Sequence, residues 1–324
     1  MMINSTLILF YSNMLLGVVL SLSSNNWVMI WMGLELSLMC IIPLMNSSMT
    51  TSSECTMKYF IVQSMSSSIF ILGVILMMLN YDFYYKMIIM LSMMLKMGVA
   101  PFHAWIISLI EGLNYMMMFN LLTIMKIVPM MVIINMNLNL NLIIIYTLIV
   151  GAISGLTQNS MSKILTYSSI FNMGFMIYCS NNLSLWFLYF IVYSINLLMI
   201  SLILMSNNIN YLNQFLINKV DLKTKAVIWI LMLSSGGMPP LMGFLPKLIV
   251  IELSINYNDW VVSLMMITTS LLTMFYYNRL CFLSSLLSSL IMKWKINSLS
   301  WLSMNIMIIN FLTLPLIILI KYLN

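Results

Sequence analysis

Of the chain's 324 residues, 62% are apolar and only 6% charged, and a mean hydropathy of +1.05 excludes a water-soluble globular domain. The formal net charge of +6 is scattered rather than gathered into a basic stripe, which excludes a nucleic-acid partner. The apolar runs are continuous, without the period-two alternation of barrel strands, so the chain reads as an all-α polytopic membrane protein whose solvent is the lipid bilayer.

Hydropathy broken by polar clusters predicts about eleven transmembrane helices. The first covers about 4–23; it lacks a charged leader and a small-residue cleavage site, and is expected to be a retained helix. The second, about 26–45, is closed by the polar run Asn46 to Thr56, and the third covers about 57–80. The fourth, about 84–112, is interrupted at Gly98-Val99-Ala100-Pro101. The fifth to eighth follow at about 115–135, 139–158, 161–180 and 184–206. Beyond a polar connection from Asn207 to Lys223, the ninth, about 224–256, is broken at Gly236-Gly237-Met238-Pro239-Pro240. The tenth covers about 259–283, and an extra helix at about 301–321 follows a loop bearing serines and lysines. The whole reads as one transmembrane domain, 1–324, with repeat one at about 4–135 and repeat two at about 139–283.

The broken helices are five apart, and an odd offset inserts the second repeat upside down. Matched Gly/Pro interruptions of this kind point to an inverted-repeat transporter. Each interruption frees backbone groups that lipid cannot satisfy, so they must face protein or water. Loops on the N-terminal side would hold Lys163, Lys219, Lys223, Lys225, Lys293 and Lys295. The other side would hold Asp82, Lys86, Asp259 and Lys321. The positive-inside rule therefore sets the N-terminus in the cytoplasm or its equivalent, the mitochondrial matrix, and the C-terminus on the opposite side.

Glu35, Lys96, Lys126 and Lys247 lie well inside apolar spans. A charge at bilayer depth costs roughly 2.5 to 3.5 kcal/mol on insertion scales, so it persists where it pairs, lines a wet cavity or carries protons. Two of the lysines flank the breaks, Lys96 before Pro101 and Lys247 after Pro240. Lys126 lies midway along the fifth helix with no carboxylate in that helix, which makes it the candidate central carrier. His103, the single histidine, follows the first break and either relays protons or hydrogen-bonds the freed backbone. Lys163 and Lys58, near helix starts, are relay candidates or topology determinants. Glu111, Glu252 and Arg279 fall near span ends and suit interface roles. Cys40, Cys55, Cys179 and Cys281 form no CxxC unit and read as small buried hydrophobes.

Six ordered strings are more specific. They are Trp31-Met32-Gly33-Leu34-Glu35 with Ile42-Pro43-Leu44-Met45; Lys58-Tyr59-Phe60 through Gln63 to Ser68; and Leu95-Lys96-Met97-Gly98 through Pro101-Phe102-His103-Ala104-Trp105. Lys126-Ile127-Val128-Pro129 follows, then Gly155-Leu156-Thr157-Gln158 with Lys163 to Leu165 and Tyr167-Ser168-Ser169-Ile170, and finally Gly236 to Pro240 leading into Gly243-Phe244-Leu245-Pro246-Lys247. Together they resemble the antiporter-like membrane subunits of animal mitochondrial respiratory complex I, over about residues 25 to 250. The resemblance implies an antiporter-like fold and a subunit that translocates protons while NADH-to-ubiquinone electron transfer proceeds elsewhere in the complex. It implies that Glu35 pairs with Lys96, and that Lys126 and Lys247 complete a lateral path. Its implied partners are other membrane-arm subunits of complex I, protons and lipid, in the inner membrane with the N-terminus in the matrix and the C-terminus in the intermembrane space.

Met125 stands where that family commonly has a glutamine, and Asn172 and Phe175 where it has histidine and tryptophan, which leaves the polar lining of the seventh helix open. There is no GxGxxG and no cysteine cluster, so no nicotinamide, flavin, iron–sulfur or haem cofactor is expected in this chain. Two other functions stay open. One is a freestanding cation/proton antiporter, disfavoured because Glu35 is the single deep acid. The other is a structural or assembly subunit without its own proton path. Quinone binding has no motif to support it.

Overall fold

A computed structural model describes residues 5–46, 50–79, 82–136, 138–214, 222–288 and Asn310. The extra helix expected at about 301–321, apart from Asn310, lies outside the described residues, as do Lys219, Lys293, Lys295 and Lys321. All the long elements are helices, and the chain divides between Asn139 and Leu140 into two compact units.

The first unit contains α1 (Ser5–Ser23), α2 (Trp27–Met45), α3 (Thr50–Met78), α4 (Asp82–Met97), α5 (Ala104–Ile110), α6 (Tyr115–Leu122) and α7 (Ile124–Met136). α1 lies against α2 at a crossing of two glycines: a Cβ on Gly17 would sit 2.8 Å from the Gly33 carbonyl oxygen, and one on Gly33 2.6 Å from that of Gly17. Such close backbone approach is how small residues hold helices together in lipid. α3 packs on α2 and α4, and α7 closes against α4 and α1. α3 begins at Thr50 rather than near 57, because the polar residues up to Thr56 form its opening turns. Their hydroxyls bond back to the preceding turn, as Ser53 does to Thr50 and Thr56 to Ser53, so polar side chains there do not break the helix.

The second unit contains α8 (Asn141–Leu156), α9 (Met161–Tyr178), α10 (Leu183–Asn207), α11 (Leu222–Gly236), α12 (Phe244–Asn256) and α13 (Trp260–Ser288). Every residue of α9 from Ile164 to Tyr178 is buried, which makes it the axis of this unit. A helix covered on all sides has no lipid face to be read as a stripe. α9 packs on α8, α13 on α8 and α11, and α12 on α10 and α13.

Six of the described segments are long and apolar enough to cross a membrane: α1, α2, α3, the α6–α7 pair, α10 and α13. Leu16, Ile61 and Leu264, among many large apolar side chains, are exposed on them. A continuous apolar exterior suits lipid. The predicted breaks occur at both sites. α4 stops at Met97 and α5 resumes at Ala104, while α11 stops at Gly236 and α12 resumes at Phe244. Each gap turns on a glycine at positive φ, Gly98 at 63° and Gly237 at 93°, a conformation that costs a side-chain-bearing residue dearly. A further interruption, at Thr123 between α6 and α7, has no glycine or proline to announce it.

Candidate functional site

Around the first break, the orphan carbonyls at the end of α4 are met by neutral donors. Trp105 Nε1 donates to the Leu95 carbonyl at 3.2 Å, and Gln63 Nε2 to that of Lys96 at 3.2 Å. Helix ends leave such carbonyls without intrahelical partners, and in lipid each must be satisfied by protein or water. The Lys96 side chain, 8% exposed, lines a cavity of about 30 Å³ with Ser37, Tyr59, Gln63 and Trp105. That volume takes one or two waters. Glu35 is half-buried on the same α2 as Ser37, and its carboxylate is felt electrostatically at Lys96 and Tyr59.

Lys126 sits between two backbone irregularities. Thr123 leaves the helix at φ −121° and ψ −76°, and its hydroxyl bonds the Phe119 carbonyl at 2.7 Å. Pro129, inside α7, has no N–H to offer the Met125 carbonyl one turn earlier. Met125, Val128 and Pro129 line the same cavity as Lys96, so the freed backbone borders a space that accepts water. Lys126 itself is 2% exposed and lies in the first turn of α7, at the positive end of the helix dipole, a position a static cation avoids. The stretch Leu121 to Lys126 contains no breaker residue, so periodicity alone does not disclose this break.

The second break is capped differently. Lys247 reaches back from α12 and Nζ donates to the carbonyls of Ser235 and Gly236, both at 2.8 Å. These are the last carbonyls of α11, where the dipole favours a cation. The ammonium also stands 5.2 Å from the centroid of the Phe171 ring, within cation–π range. A cavity of about 30 Å³ adjoins it, lined by Ser168, Asn172, Tyr189, Tyr193, Asn196, Ser234 and Ser235 among others. The lining left open by the departures at Asn172 and Phe175 is therefore polar. Tyr189 donates to Asn172 Oδ1 at 2.9 Å, and its ring stacks on Phe175.

Of the remaining predicted residues, His103 is partly buried, and its Nδ1 bonds the Pro101 carbonyl at 3.2 Å, satisfying backbone freed by the break. Lys163 lies in the first turn of α9, and Lys58, Glu111 and Glu252 are exposed. Lys225, expected at the loop margin, is inside α11 and 1% exposed. Arg279 does more than mark an interface: its guanidinium donates to the Leu156 and Gln158 carbonyls at 2.8 and 2.9 Å and fastens α13 to the end of α8. Among the described residues the four cysteines form no disulfide, with Cys55 and Cys179 buried and Cys40 and Cys281 half-buried. Among the described residues, no group of three or more His, Cys, Asp or Glu could hold a metal.

Units whose fourth span is broken beside a buried, cavity-lining lysine define an antiporter-type membrane protein. Residues 24–273 match the family described as NADH:quinone oxidoreductase/Mrp antiporter, transmembrane. The chain is 35% identical to NADH-ubiquinone oxidoreductase chain 2 of Locusta migratoria over 312 residues, 93% of this chain and 89% of that one. It is 34% identical to the mouse chain 2 over 306 residues, 87% and 86% of the two chains. Its fold is similar to a chain in the respiratory complex I of Thermus thermophilus, with a TM-score of 0.80 at 20% identity, covering 87% of this chain and 71% of that one. It is also similar to a chain of the Mrp complex of a Dietzia species, with a TM-score of 0.73 at 14% identity, covering 84% of this chain and 59% of that one. The chain belongs to the NADH-ubiquinone oxidoreductase chain 2 family.

Proposed function

We propose that this chain is a proton-translocating membrane subunit of respiratory complex I in the mitochondrial inner membrane. Glu35, Lys96, Lys126 and Lys247 are its titratable stations, and His103 and Lys163 are further relay candidates. The observation that carries this reading is the siting of the buried lysines at backbone breaks beside cavities large enough for water. Family membership supports the complex I assignment, and with it membrane-arm partners. In this reading the units are inverted five-span repeats of one domain, with the N-terminus in the matrix and the C-terminus in the intermembrane space.

Nothing in the chain transfers electrons in this scheme. Energy arrives from neighbouring subunits as a change in the field at Glu35 and Lys96, which alters how firmly Lys126 and Lys247 hold their protons. Moving one charge through 100 mV takes about 2.3 kcal/mol. A tenfold change in proton affinity is worth about 1.4 kcal/mol, so a change of roughly fiftyfold supplies the whole step. A rearrangement of a single pair at low dielectric is enough.

A structural reading has one observation in its favour, the capping of α11 by Lys247, which a purely architectural lysine would also provide. The two separate on Lys126→Met in the assembled enzyme. A proton station predicts that NADH oxidation becomes uncoupled from, or limited by, reduced proton pumping while assembly persists. An assembled Lys126→Met complex with the parental proton-to-electron ratio would refute the pumping role.

A further inference from the structure

Two tyrosines on α13 are buried where the fold gives their hydroxyls no close partner. Tyr276 and Tyr277 are both fully buried, with ring centroids 4.5 Å apart, and among the described residues neither hydroxyl has a partner at close hydrogen-bond distance. Phenylalanine would fill the same space without burying a polar group that lipid and protein leave unsatisfied.

Their seats are specific. A Cβ on Gly236, at the end of α11, would come 3.3 Å from the Tyr277 ring, and one on Gly155, near the end of α8, would come 3.1 Å from the Tyr276 ring. Glycine at these points lets one ring lie against the second break and the other against the end of α8 that Arg279 fastens. The side chains that face the Tyr277 hydroxyl are Ser168, Ser235 and Tyr276. Both serine protons are committed to their own helices, Ser168 to the Leu165 carbonyl and Ser235 to that of Met232. Each serine oxygen therefore retains lone pairs to accept with. Ser168 and Ser235 also line the cavity beside Lys247, and the Ser235 carbonyl accepts from its ammonium.

Resting on the reading of Lys247 as a proton station, we propose that Tyr277 and Tyr276 form a hydroxyl relay joining the Lys247 cavity to the α8–α9 end of the second unit. The sequence of groups is Lys247, cavity water, Ser235 or Ser168, Tyr277, Tyr276, and then the polar loop beginning at Thr157. In each hop a hydroxyl oxygen takes a proton on a lone pair and releases the proton it held to the next oxygen, the serine first swinging its O–H away from its own helix carbonyl. Neither tyrosine changes net charge over a completed transfer, and one proton has advanced. No oxidant or second substrate enters. The same geometry assigns Arg279 a positioning role, since it fixes the end of α8 against which Tyr276 rests.

The test uses the whole complex assembled with Tyr277→Phe, Tyr276→Phe or both, beside Lys247→Met, in sealed vesicles. Protons moved per NADH oxidised are counted per assembled complex, a ratio that a packing defect alone leaves unmoved. The relay predicts that Tyr277→Phe loses as large a share of the ratio as Lys247→Met, with normal assembly, because the ring stays and only an unpartnered oxygen is removed. Full pumping by both single variants and the double variant, alongside loss in Lys247→Met, overturns the relay and leaves the reading of Lys247 standing. Full pumping by Lys247→Met removes that reading, and the relay with it.

Discussion

Gly237→Ala tests whether the second break is built around its lysine. Gly237 holds φ at 93°, a left-handed conformation that costs a residue with a Cβ roughly 1 to 2 kcal/mol. The new methyl would also stand 3.1 Å from Lys247 Cδ and 3.3 Å from Nζ, well inside the usual 3.5 to 4.0 Å carbon contact. Lys247 must then yield by a few tenths of an ångström and lengthen two bonds that are now 2.8 Å. A hydrogen bond to a charged group contributes about 1.5 to 3 kcal/mol, and weakening two of them costs about half of one. The sum is on the order of 2 to 4 kcal/mol. The neighbouring Gly236→Ala supplies the contrast. Gly236 is helical, and its Cβ would meet the Met274 sulfur at 3.0 Å and the Tyr277 ring at 3.3 Å, with a flexible methionine able to move and a small gain in helix propensity of about 1 kcal/mol. The temperature of thermal inactivation of the assembled complex, and with it the proton-to-electron ratio, should fall sharply for Gly237→Ala and little for Gly236→Ala. Equal behaviour of the two variants would refute the coupling of break and lysine.

Gly33→Val forces a branched side chain against the Gly17 carbonyl, where even a Cβ would lie at 2.6 Å; overpacking of this kind costs about 1 to 3 kcal/mol, and the amount of assembled complex on native gels should drop. Arg279→Lys can keep at most part of the two-pronged grip on Leu156 and Gln158. Limited proteolysis at the α8–α9 loop should quicken, by an amount matching a loss of about 1.5 to 3 kcal/mol, and an unchanged cleavage rate would show that α8 is held by other contacts. Gln63→Leu removes the donor to the Lys96 carbonyl and leaves a buried acceptor unmet at about 1 to 3 kcal/mol. Thermal inactivation should reveal the loss, whereas Gln63→Glu should perturb pumping more than stability by adding a charge beside Lys96.

The parts of this molecule that were legible in the sequence are those with a chemical signature at one position. Gly98 to Pro101 and Gly236 to Pro240 interrupt their spans because glycine and proline alter the backbone directly, and both interruptions are present. Glu35, Lys96, Lys126 and Lys247 stood out because a charge in an apolar run is costly, and the three lysines are buried. The break at Thr123 was not visible, since threonine within a helix is ordinary and the departure depends on how α6 and α7 are packed. The start of α3 was misplaced because polar residues at a membrane surface extend a helix as readily as they end one. Arg279 looked like an interfacial residue for a different reason: its carbonyl partners lie more than a hundred residues earlier in the chain, a separation no local pattern encodes. Likewise, nothing in the order of residues distinguishes Lys96, whose neighbouring carbonyls are met by Trp105 and Gln63, from Lys247, which meets them itself.

That last contrast has a mechanical consequence. At the second break the group that would carry the proton is also the clasp that holds the end of α11. Occupancy of Nζ and the posture of the two half-helices are thus one equilibrium seen from two ends, and linkage makes their mutual influence equal in both directions. Strain applied to the half-helices from outside the chain changes the grip on the proton, and a proton arriving or leaving pulls on the half-helices with the same free energy. The first break is latched instead by an indole and an amide, groups that do not titrate.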